Sequence, residues 1–289
     1  MGEISEALRR AREGIAREAA VAPAAAALRE ASPLNVAPPR DVAAAVEVSA
    51  SDEGNWHARS VVVAPRGEFA EGYRHFAIRL QRQMKEAGAR SVIVTSAARG
   101  EGKTTTACNL ALALASMASG RRIGLLELDV RRPAAARALG VPVSVGIERV
   151  LAGSARLAEA CAHTQLPELD LYLVSEPAPD PLGAVAAPSA GALIRDLARQ
   201  YDTLVIDSPP VLPVPDVPLL SQHADTVLLV ARNGVTRRAA LRETIESLGV
   251  EKVIGVFLNE GKSPRHRRYY GYYGYGEDAA TEASRGNGR

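Results

Sequence analysis

The sequence predicts an α/β protein with a mainly parallel sheet flanked by helices. Between about residues 61 and 260, short apolar runs alternate with helical stretches. The short runs are apolar on both faces, which is typical of parallel strands covered by helices on both sides. Hydrophobic residues make up 47% and charged residues 24% of the 289 residues, which is enough apolar material for a sizeable core.

The elements follow one another in a regular order along this region. Each predicted strand is a short, β-branched apolar run, and each predicted helix is a longer stretch between two such runs. The predicted strands cover 91–97, 122–129, 169–175, 201–208, 225–232 and 252–259. The predicted helices cover 68–88, 103–119, 189–200 and 236–249.

The two N-terminal zones differ from this region in composition. Residues 1–20 have apolar positions at helical spacing and arginines on the other face. They predict either an amphipathic helix that docks on a partner or membrane surface, or a solvated helix or disordered arm. Residues 21–60 are rich in Ala, Pro, Ser and Val without a sustained period, and we expect a disordered linker.

The last zone, 261–289, is polar and rich in glycine, and we expect a flexible tail. It holds five of the eight tyrosines of the chain. They are Tyr269, Tyr270, Tyr272, Tyr273 and Tyr275. Such Tyr–Gly sequence is often merely low-complexity chain, although its glycines would also let a tyrosine reach another molecule.

Charge and cysteine content exclude several classes of protein. A net charge of +2 excludes strong global attraction to nucleic acid, so we expect no nucleic-acid partner. Two cysteines, Cys108 and Cys161, cannot form a disulfide framework, which indicates a reducing, cytoplasmic location. No apolar run reaches the roughly 18–20 residues that span a bilayer.

The strongest local signal is a phosphate-binding loop in the segment SVIVTSAARGEGKTTTACNLALALA. An apolar strand leads into a loop with Gly100 and Gly102, which is followed by Lys103, Thr104 and a helix. Glycines let the backbone approach phosphates, and the N–H groups at the helix start point at the anion. Lys103 would neutralise phosphate charge, and the Thr104 hydroxyl would bind Mg²⁺.

The candidate nucleotide-binding residues in this loop form one continuous run. They are Gly100, Glu101, Gly102, Lys103, Thr104 and Thr105. One position departs from the general pattern G-x-x-x-x-G-K-[ST], because Ala97 stands where the pattern has glycine.

Acidic residues end two of the other predicted strands. Asp207 follows the apolar run Thr203–Ile206, and the carboxyl ends of parallel strands are where α/β sheets bind ligands. Glu127 and Asp129 are two residues apart and would share a face of their strand. Together with Thr104 these three acids are the candidate Mg²⁺ ligands, and Glu127 and Asp129 are candidates for deprotonating a nucleophile.

TSAARGEGKTT, LLELDVRRP and LVIDSPP, in this order and followed by a tyrosine-rich tail, resemble the bacterial tyrosine kinases of capsule and exopolysaccharide assembly. The resemblance covers roughly residues 65–276 and implies a P-loop NTPase fold similar to that of ParA and MinD. It also implies ATP and Mg²⁺ as cofactors. Ordered motifs together with a tyrosine cluster are far more specific than a phosphate-binding loop alone.

The resemblance also implies roles for single residues. By this resemblance Lys103 is the lysine that binds the phosphates, and Asp207 is the acid that binds the metal. Glu127 and Asp129 match a pair of acids that is usually Asp-x-Asp in the family. Asn259, at the end of the apolar run GVFLN, becomes a candidate adenine contact. The five tail tyrosines become phosphoacceptors that are modified in trans between subunits.

Partners are implied in the same way. The resemblance suggests an activating membrane polysaccharide co-polymerase, a homo-oligomer held by tail docking in trans, and a cognate tyrosine phosphatase. The chain would then lie at the inner face of the cell membrane. The family's oligomerisation motif E-x-x-R-x-x-R is matched only by Glu71 and Arg74, since Ala77 stands at its last position.

Two alternatives from other functional classes remain open at this point. A ParA/MinD-type ATPase shares the predicted fold but has a signature lysine, and the matching position here is Ala98. A nucleotide-binding regulator without kinase activity would also fit the departure at Glu127. Phosphorylation of the tail tyrosines would distinguish the kinase from both.

Overall fold

The computed structural model describes residues 45–48 and 56–261. The predicted helix 1–20 and the tyrosine cluster lie outside these residues. No helix in the described ranges is long and apolar enough to cross a membrane.

Seven strands form one sheet in the order β3-β4-β2-β5-β1-β6-β7. Only β3 runs antiparallel, against β4, whereas the other neighbouring strands are parallel. The strands are β1 (Ser91–Ser96), β2 (Ile123–Glu127), β3 (Cys161–His163), β4 (Leu169–Tyr172), β5 (Thr203–Asp207), β6 (Thr226–Arg232) and β7 (Val253–Asn259). This arrangement brings the carboxyl ends of β1, β2 and β5 together at one edge of the sheet.

Helices connect the strands and cover the sheet. The α-helices are α1 (Ser60–Val63), α2 (Glu68–Glu86), α3 (Lys103–Ser116), α4 (Ala135–Leu139), α5 (Ile147–Leu151), α6 (Pro181–Ala186), α7 (Pro188–Gln200), α8 (Asp216–Ser221) and α9 (Arg238–Leu248). Short 3₁₀ helices cover Trp56–Arg59, Leu157–Glu159 and Val250–Lys252.

The main core lies between the sheet and helices α2, α3 and α4. Val92 and Val94 of β1 belong to the same buried cluster as Leu80 of α2 and Leu110 of α3. Ile93 is also fully buried, and strand alternation directs it to the opposite face. Burial on both faces explains why β1 reads as a continuous apolar run, and it confirms the predicted α/β class.

The predicted strands are all confirmed, each with slightly shorter bounds. Strand β3 was not predicted, because it has three half-buried residues and pairs only with β4. The long predicted helices correspond to α2, α3, α7 and α9. The helices of four to six residues were missed, since a span of one or two turns carries no readable period.

The structured domain begins earlier than the predicted boundary at residue 61. Val46 donates its backbone N–H to the carbonyl of His163 (2.7 Å), and Val48 is fully buried. Ala58 is fully buried too, and the Arg59 guanidinium donates to the Ala138 carbonyl (2.9 Å). The expected linker 21–60 therefore includes segments that pack on the domain, because isolated apolar residues there find a place beside the sheet edge and α4.

A carboxylate ties the start of β1 to the turn before β6. One oxygen of Asp225, Oδ2, accepts hydrogen bonds from the backbone N–H groups of Arg90 and Ser91 and from the Ser91 hydroxyl, each at 2.8 Å. Burial alone would raise the pKa of Asp225, but these hydrogen bonds outweigh it and lower the pKa. The ionised form therefore stabilises the fold.

We expect Asp225→Asn to lower the free energy of unfolding by about 1 kcal/mol at pH 7, a modest loss because residue 225 is exposed. A depressed pKa adds stability above the unfolded-state value of about 3.9, and this stability is lost as the pH falls through the lower folded-state value. Urea unfolding of both proteins from pH 7 down to pH 3 measures this. A gap between the two proteins that stays constant over this range would contradict the role of the charge.

Candidate functional site

The loop between β1 and α3 has the backbone of a phosphate-binding loop. Gly100 and Gly102 adopt left-handed backbone angles, with φ of 78° and 95°. At Gly102 a Cβ atom would lie 2.1 Å from the side-chain nitrogen of Asn259, so only glycine fits there. Ala97 is buried and has no positive φ, so the missing glycine of the sequence pattern causes no backbone strain.

Side chains at the carboxyl ends of β6 and β7, and in the segment after β6, brace this loop. Glu101 is buried, and its carboxylate accepts from the Ala98 N–H (2.9 Å) and from the Thr236 hydroxyl. The Asn259 amide donates to the Glu101 carbonyl (3.1 Å), and the Arg232 guanidinium donates to the Gly100 carbonyl (3.3 Å). The shape of the loop therefore depends on residues more than 130 positions away in the chain.

Lys103, the first residue of α3, meets the acid that follows β2. Its ammonium lies 2.8 Å from Asp129 Oδ2 and donates to the Thr104 hydroxyl oxygen at 3.3 Å. Burial alone would lower the pKa of Lys103, but the carboxylates of Asp207 and Asp129 outweigh burial and raise it. Lys103 is therefore a positive charge at neutral pH, placed where the loop presents its N–H groups.

Asp207 ends β5 at the same edge of the sheet. It is fully buried, and neither carboxylate oxygen has a donor in normal hydrogen-bond geometry among the described residues. Burial raises the pKa of Asp207 to about 6, although the charge of Lys103 and the nearby Thr104 hydroxyl and Ser208 N–H act in the opposite direction. A buried carboxylate without donors is costly, and a divalent cation is the kind of ligand that would satisfy it.

Glu127 is placed differently from the other two acids. Its Oε1 accepts from the backbone N–H groups of Ala134 (2.6 Å) and Ala135 (2.9 Å), and its Oε2 accepts from that of Val174 (3.0 Å). Burial, with the negative charge of Asp207 as a second cause, raises the pKa of Glu127 to about 7. Both oxygens therefore hold the start of α4 and the segment after β4 in place.

A cavity of about 190 Å³ opens beside the loop, lined in part by Lys103, Asp129 and Pro209. Arg131 also lines this cavity, and its guanidinium forms a two-point ion pair with the buried carboxylate of Asp216 (2.7 and 2.9 Å). Arg99 and Arg132 line the cavity as well, so basic side chains stand next to the loop, as a site for phosphate groups requires.

The sequence of the domain matches the model of a known family. The model described as "CobQ/CobB/MinD/ParA nucleotide binding domain" covers residues 92–271, which include the loop, Asp129 and Asp207. The chain belongs to the CobQ/CobB/MinD/ParA nucleotide-binding family. The predicted P-loop NTPase fold is thereby confirmed.

Several relatives of the chain are named as tyrosine kinases. The chain is 29% identical to the tyrosine-protein kinase YwqD of Bacillus subtilis over 227 residues, which are 77% of this chain and 94% of YwqD. It is 30% identical to the putative tyrosine-protein kinase EpsB of Ralstonia nicotianae over 254 residues, 82% of this chain but only 33% of EpsB. The predicted resemblance to bacterial tyrosine kinases is confirmed.

Two solved structures are also similar to this chain. The VpsO kinase domain is 31% identical, with a TM-score of 0.59 over 68% of this chain and 100% of that domain. The chimerical protein CapA2B2 is 26% identical, with a TM-score of 0.63 over 71% of this chain and 91% of the other.

The structure brings most of the predicted site residues together at one edge of the sheet. The loop residues, Asp129 and Asp207 face the same region, whereas both carboxylate oxygens of Glu127 bind backbone N–H groups. Thr105 is half-buried, and its carbonyl accepts from Asn109 (3.0 Å). Asn259 contacts the loop itself, so its expected adenine contact stays a prediction.

The partial oligomerisation motif has a clear structural context. Arg74 pairs with Glu71 at 2.6 Å and donates to the Pro65 carbonyl (2.5 Å), so its guanidinium has partners within the chain. Ala77 is fully buried in the core side of α2. An arginine at position 77 would have to enter the core, which explains why alanine stands there.

The loop braces were not predicted, and neither was the pair formed by Arg131 and Asp216. No local pattern marks Thr236 or Arg232, because their partners lie on a distant segment. Asp216 follows the Pro-Pro turn after β5, but the sequence gives no sign of which cation it meets.

We expect Thr236→Val to weaken ATP binding by about five- to tenfold, because the loop loses a hydrogen bond worth about 1 kcal/mol. Thr244→Val is the matched control, since the Thr244 hydroxyl bonds only within its own helix, to Ala240 (2.7 Å). Calorimetric titration with ATP and Mg²⁺ measures both. Equal losses in the two variants would contradict the bracing role.

The same substitution is expected to destabilise the protein much more at Glu127 than at Asp207. Glu127→Ala leaves three backbone N–H groups without an acceptor, and we expect a loss of about 2–4 kcal/mol in unfolding free energy. Asp207→Ala removes a buried charge without donors, so we expect a loss below about 1 kcal/mol together with loss of the Mg²⁺ dependence of nucleotide binding. Denaturation and titration of both variants test this, and similar instability in both would contradict the assignment.

Proposed function

We propose that this chain is an ATP-dependent protein-tyrosine autokinase. One copy phosphorylates, in trans, the tyrosine cluster in the tail of another copy of the same chain. The observation that carries the proposal is the pairing of Lys103 with Asp129 beside the unpartnered carboxylate of Asp207. This arrangement occurs in a chain that aligns along 94% of a tyrosine-protein kinase. In the reaction, the tyrosine oxygen forms a bond to the γ-phosphorus of ATP, and the bond to the ADP oxygen breaks.

The chain's own residues supply positioning and charge. The N–H groups of the loop and the Lys103 ammonium bind the phosphates and neutralise the charge that spreads over them during transfer. Asp207, Asp129 and Thr104 have the oxygen atoms to hold Mg²⁺ at this edge. Bound there, Mg²⁺ would neutralise negative charge on the phosphate oxygens.

Asp129 is the best-placed residue to accept the proton of the incoming tyrosine hydroxyl. Its Oδ2 contacts Lys103 and its Oδ1 accepts from the Arg132 N–H (3.1 Å), so the carboxylate is held in the wall of the cavity. Glu127 is a positioning residue, because two of its backbone hydrogen bonds hold the end of the segment that carries Asp129 and the third holds Val174 after β4. The two acids that the sequence treats alike thus receive different roles.

The tail supplies the acceptors, which are Tyr269, Tyr270, Tyr272, Tyr273 and Tyr275. Each phosphate adds about −1.5 to −2 charges, so full modification adds roughly −8 to −10. The net charge of the chain is only +2. We infer that this reversal of charge releases the tail from a neighbouring copy and loosens the oligomer.

The cellular role rests on the relatives. One of them, 30% identical over 242 residues, is the succinoglycan biosynthesis transport protein ExoP of Rhizobium meliloti. We propose that this chain regulates synthesis and export of a capsular or extracellular polysaccharide. It would work at the inner face of the membrane, with a polysaccharide co-polymerase as activator and a tyrosine phosphatase as antagonist.

The experiment mixes two full-length variants, neither of which can phosphorylate its own kind. Lys103→Ala keeps the tail tyrosines but lacks the phosphate lysine, and a variant with phenylalanine at all five tail positions keeps the site but lacks acceptors. With Mg²⁺, ATP and the cytoplasmic segment of the co-polymerase, we expect phosphotyrosine on the tail of the Lys103→Ala chain only in the mixture. Peptide mass mapping measures it.

The wild-type chain under the same conditions is the positive control. Phosphotyrosine on the Lys103→Ala chain alone would contradict the role of the lysine. ATP hydrolysis without phosphotyrosine in the wild type would favour the ATPase alternative, and binding without turnover would favour the regulator.

A further inference from the structure

A thiol, an imidazole and a carboxylate lie close together on the edge hairpin β3–β4, far from the phosphate-binding loop. Cys161 and His163 are two residues apart in β3 and share a face, and His163 pairs directly with Asp170 of β4. Asp170 is fully buried, and His163 is largely buried with 14% of its side chain exposed. Three strands, β4, β2 and β5, separate β3 from β1 in the sheet, so this cluster does not belong to the nucleotide site.

The three side chains converge on one point. Their donor atoms, Cys161 Sγ, a His163 ring nitrogen and an Asp170 carboxylate oxygen, lie within 4.8 Å of one another. His163 Nδ1 is 2.7 Å from Asp170 Oδ1 and 3.9 Å from Cys161 Sγ. A proton relay from thiol to carboxylate would use the two different ring nitrogens. Here both groups approach the same nitrogen, which is the arrangement of ligands around a shared ion.

A second layer of groups orients the carboxylate. Asp170 Oδ2 accepts from the Tyr201 hydroxyl (2.8 Å) and from the Arg122 guanidinium (3.3 Å), so the other oxygen is directed at His163. Tyr201 also shares a hydrogen bond with Tyr172 (2.9 Å). Support of this kind for a ligand is typical of metal sites.

We propose that Cys161 Sγ, His163 Nδ1 and Asp170 Oδ1 form a binding site for Zn²⁺, and that the ion holds the edge hairpin together. A thiolate, an imidazole and a carboxylate are the ligand types that Zn²⁺ prefers, whereas Mg²⁺ and Ca²⁺ prefer oxygen alone. The thiol proton and the Nδ1 proton would leave when the ion binds. Three protein ligands leave the fourth tetrahedral position to water.

The site has a structural purpose in this fold. The carbonyl of His163 accepts the backbone N–H of Val46 (2.7 Å), and Val46 bridges to Thr164. The hairpin is thus the part of the domain on which the segment 45–48 docks. An ion that fixes β3 against β4 would fix this docking edge as well.

The test uses the full chain with any affinity tag removed, titrated with Co²⁺ in excess Mg²⁺, so that the nucleotide-site acids are occupied. We expect a thiolate-to-cobalt charge-transfer band that saturates at a single ion per chain and is abolished by Zn²⁺. The band should vanish in Cys161→Ala. It should persist in Cys108→Ala, the matched control, because Cys108 is the other cysteine and is fully buried in α3.

A variant of the supporting layer separates binding from folding. Tyr201→Phe keeps all three ligands but removes a donor to Asp170, and we expect Co²⁺ affinity to fall about 10–100-fold with the band intact at saturation. Circular dichroism checks that each variant is folded. Absence of the band in the wild type, its survival in Cys161→Ala, or its loss in folded Cys108→Ala would overturn the proposal.

Discussion

The nucleotide end of the molecule depends on one buried charge, the carboxylate of Asp207. The parallel sheet places it at the end of β5, where solvent does not reach it and no described group donates to it in normal hydrogen-bond geometry. The nearby ammonium of Lys103 offsets only part of this cost, because the pKa of Asp207 is still raised. The fold thus accepts an unfavourable group at the point where a cation and phosphates would make it favourable, and stability is lower there for the sake of binding.

The acid pair at the end of β2 shows how one methylene group changes the role of a residue. Glu127 is long enough to reach the backbone of Ala134 and Ala135 on one side and of Val174 on the other. Asp129, two residues later, stays at the cavity and meets Lys103. The longer acid supports the loop that carries the shorter one, so the departure from Asp-x-Asp becomes a structural feature of this chain.

The parts of the fold that could be predicted are those with a strong local signal. The central strands are buried on both faces, so they appear as uninterrupted apolar runs, and the glycines with Lys103 mark the phosphate loop in any sequence. Strand β3 and the segment 45–48 gave no such signal, because each has few residues and its stability comes from one neighbour. The family resemblance added the expected role of the tail tyrosines as phosphoacceptors, which periodicity alone does not provide.

The side-chain contacts that shape the site escaped prediction for a different reason. Glu101 meets Thr236, and Arg131 meets Asp216, across sequence separations of 135 and 85 residues. The Cys161, His163 and Asp170 cluster is divided between two strands and has no spacing typical of a metal motif. Such pairs follow from the register and the strand order, and these are properties of the folded sheet.

The support that Asn259 gives to the phosphate loop lies at the very end of the sheet. Beyond Asn259 the chain turns at Glu260, which has a positive φ of 56° and pairs with Arg232. The tail thus begins at residues that set the geometry of Gly100 and Gly102. If the tail of one copy docks at the site of a neighbour, as the proposed reaction requires, a pull on that tail would act on the phosphate-binding loop of its own copy and not on the loop of the receiving copy. Chains of identical sequence would then differ within one assembly, and the assembly would have a direction.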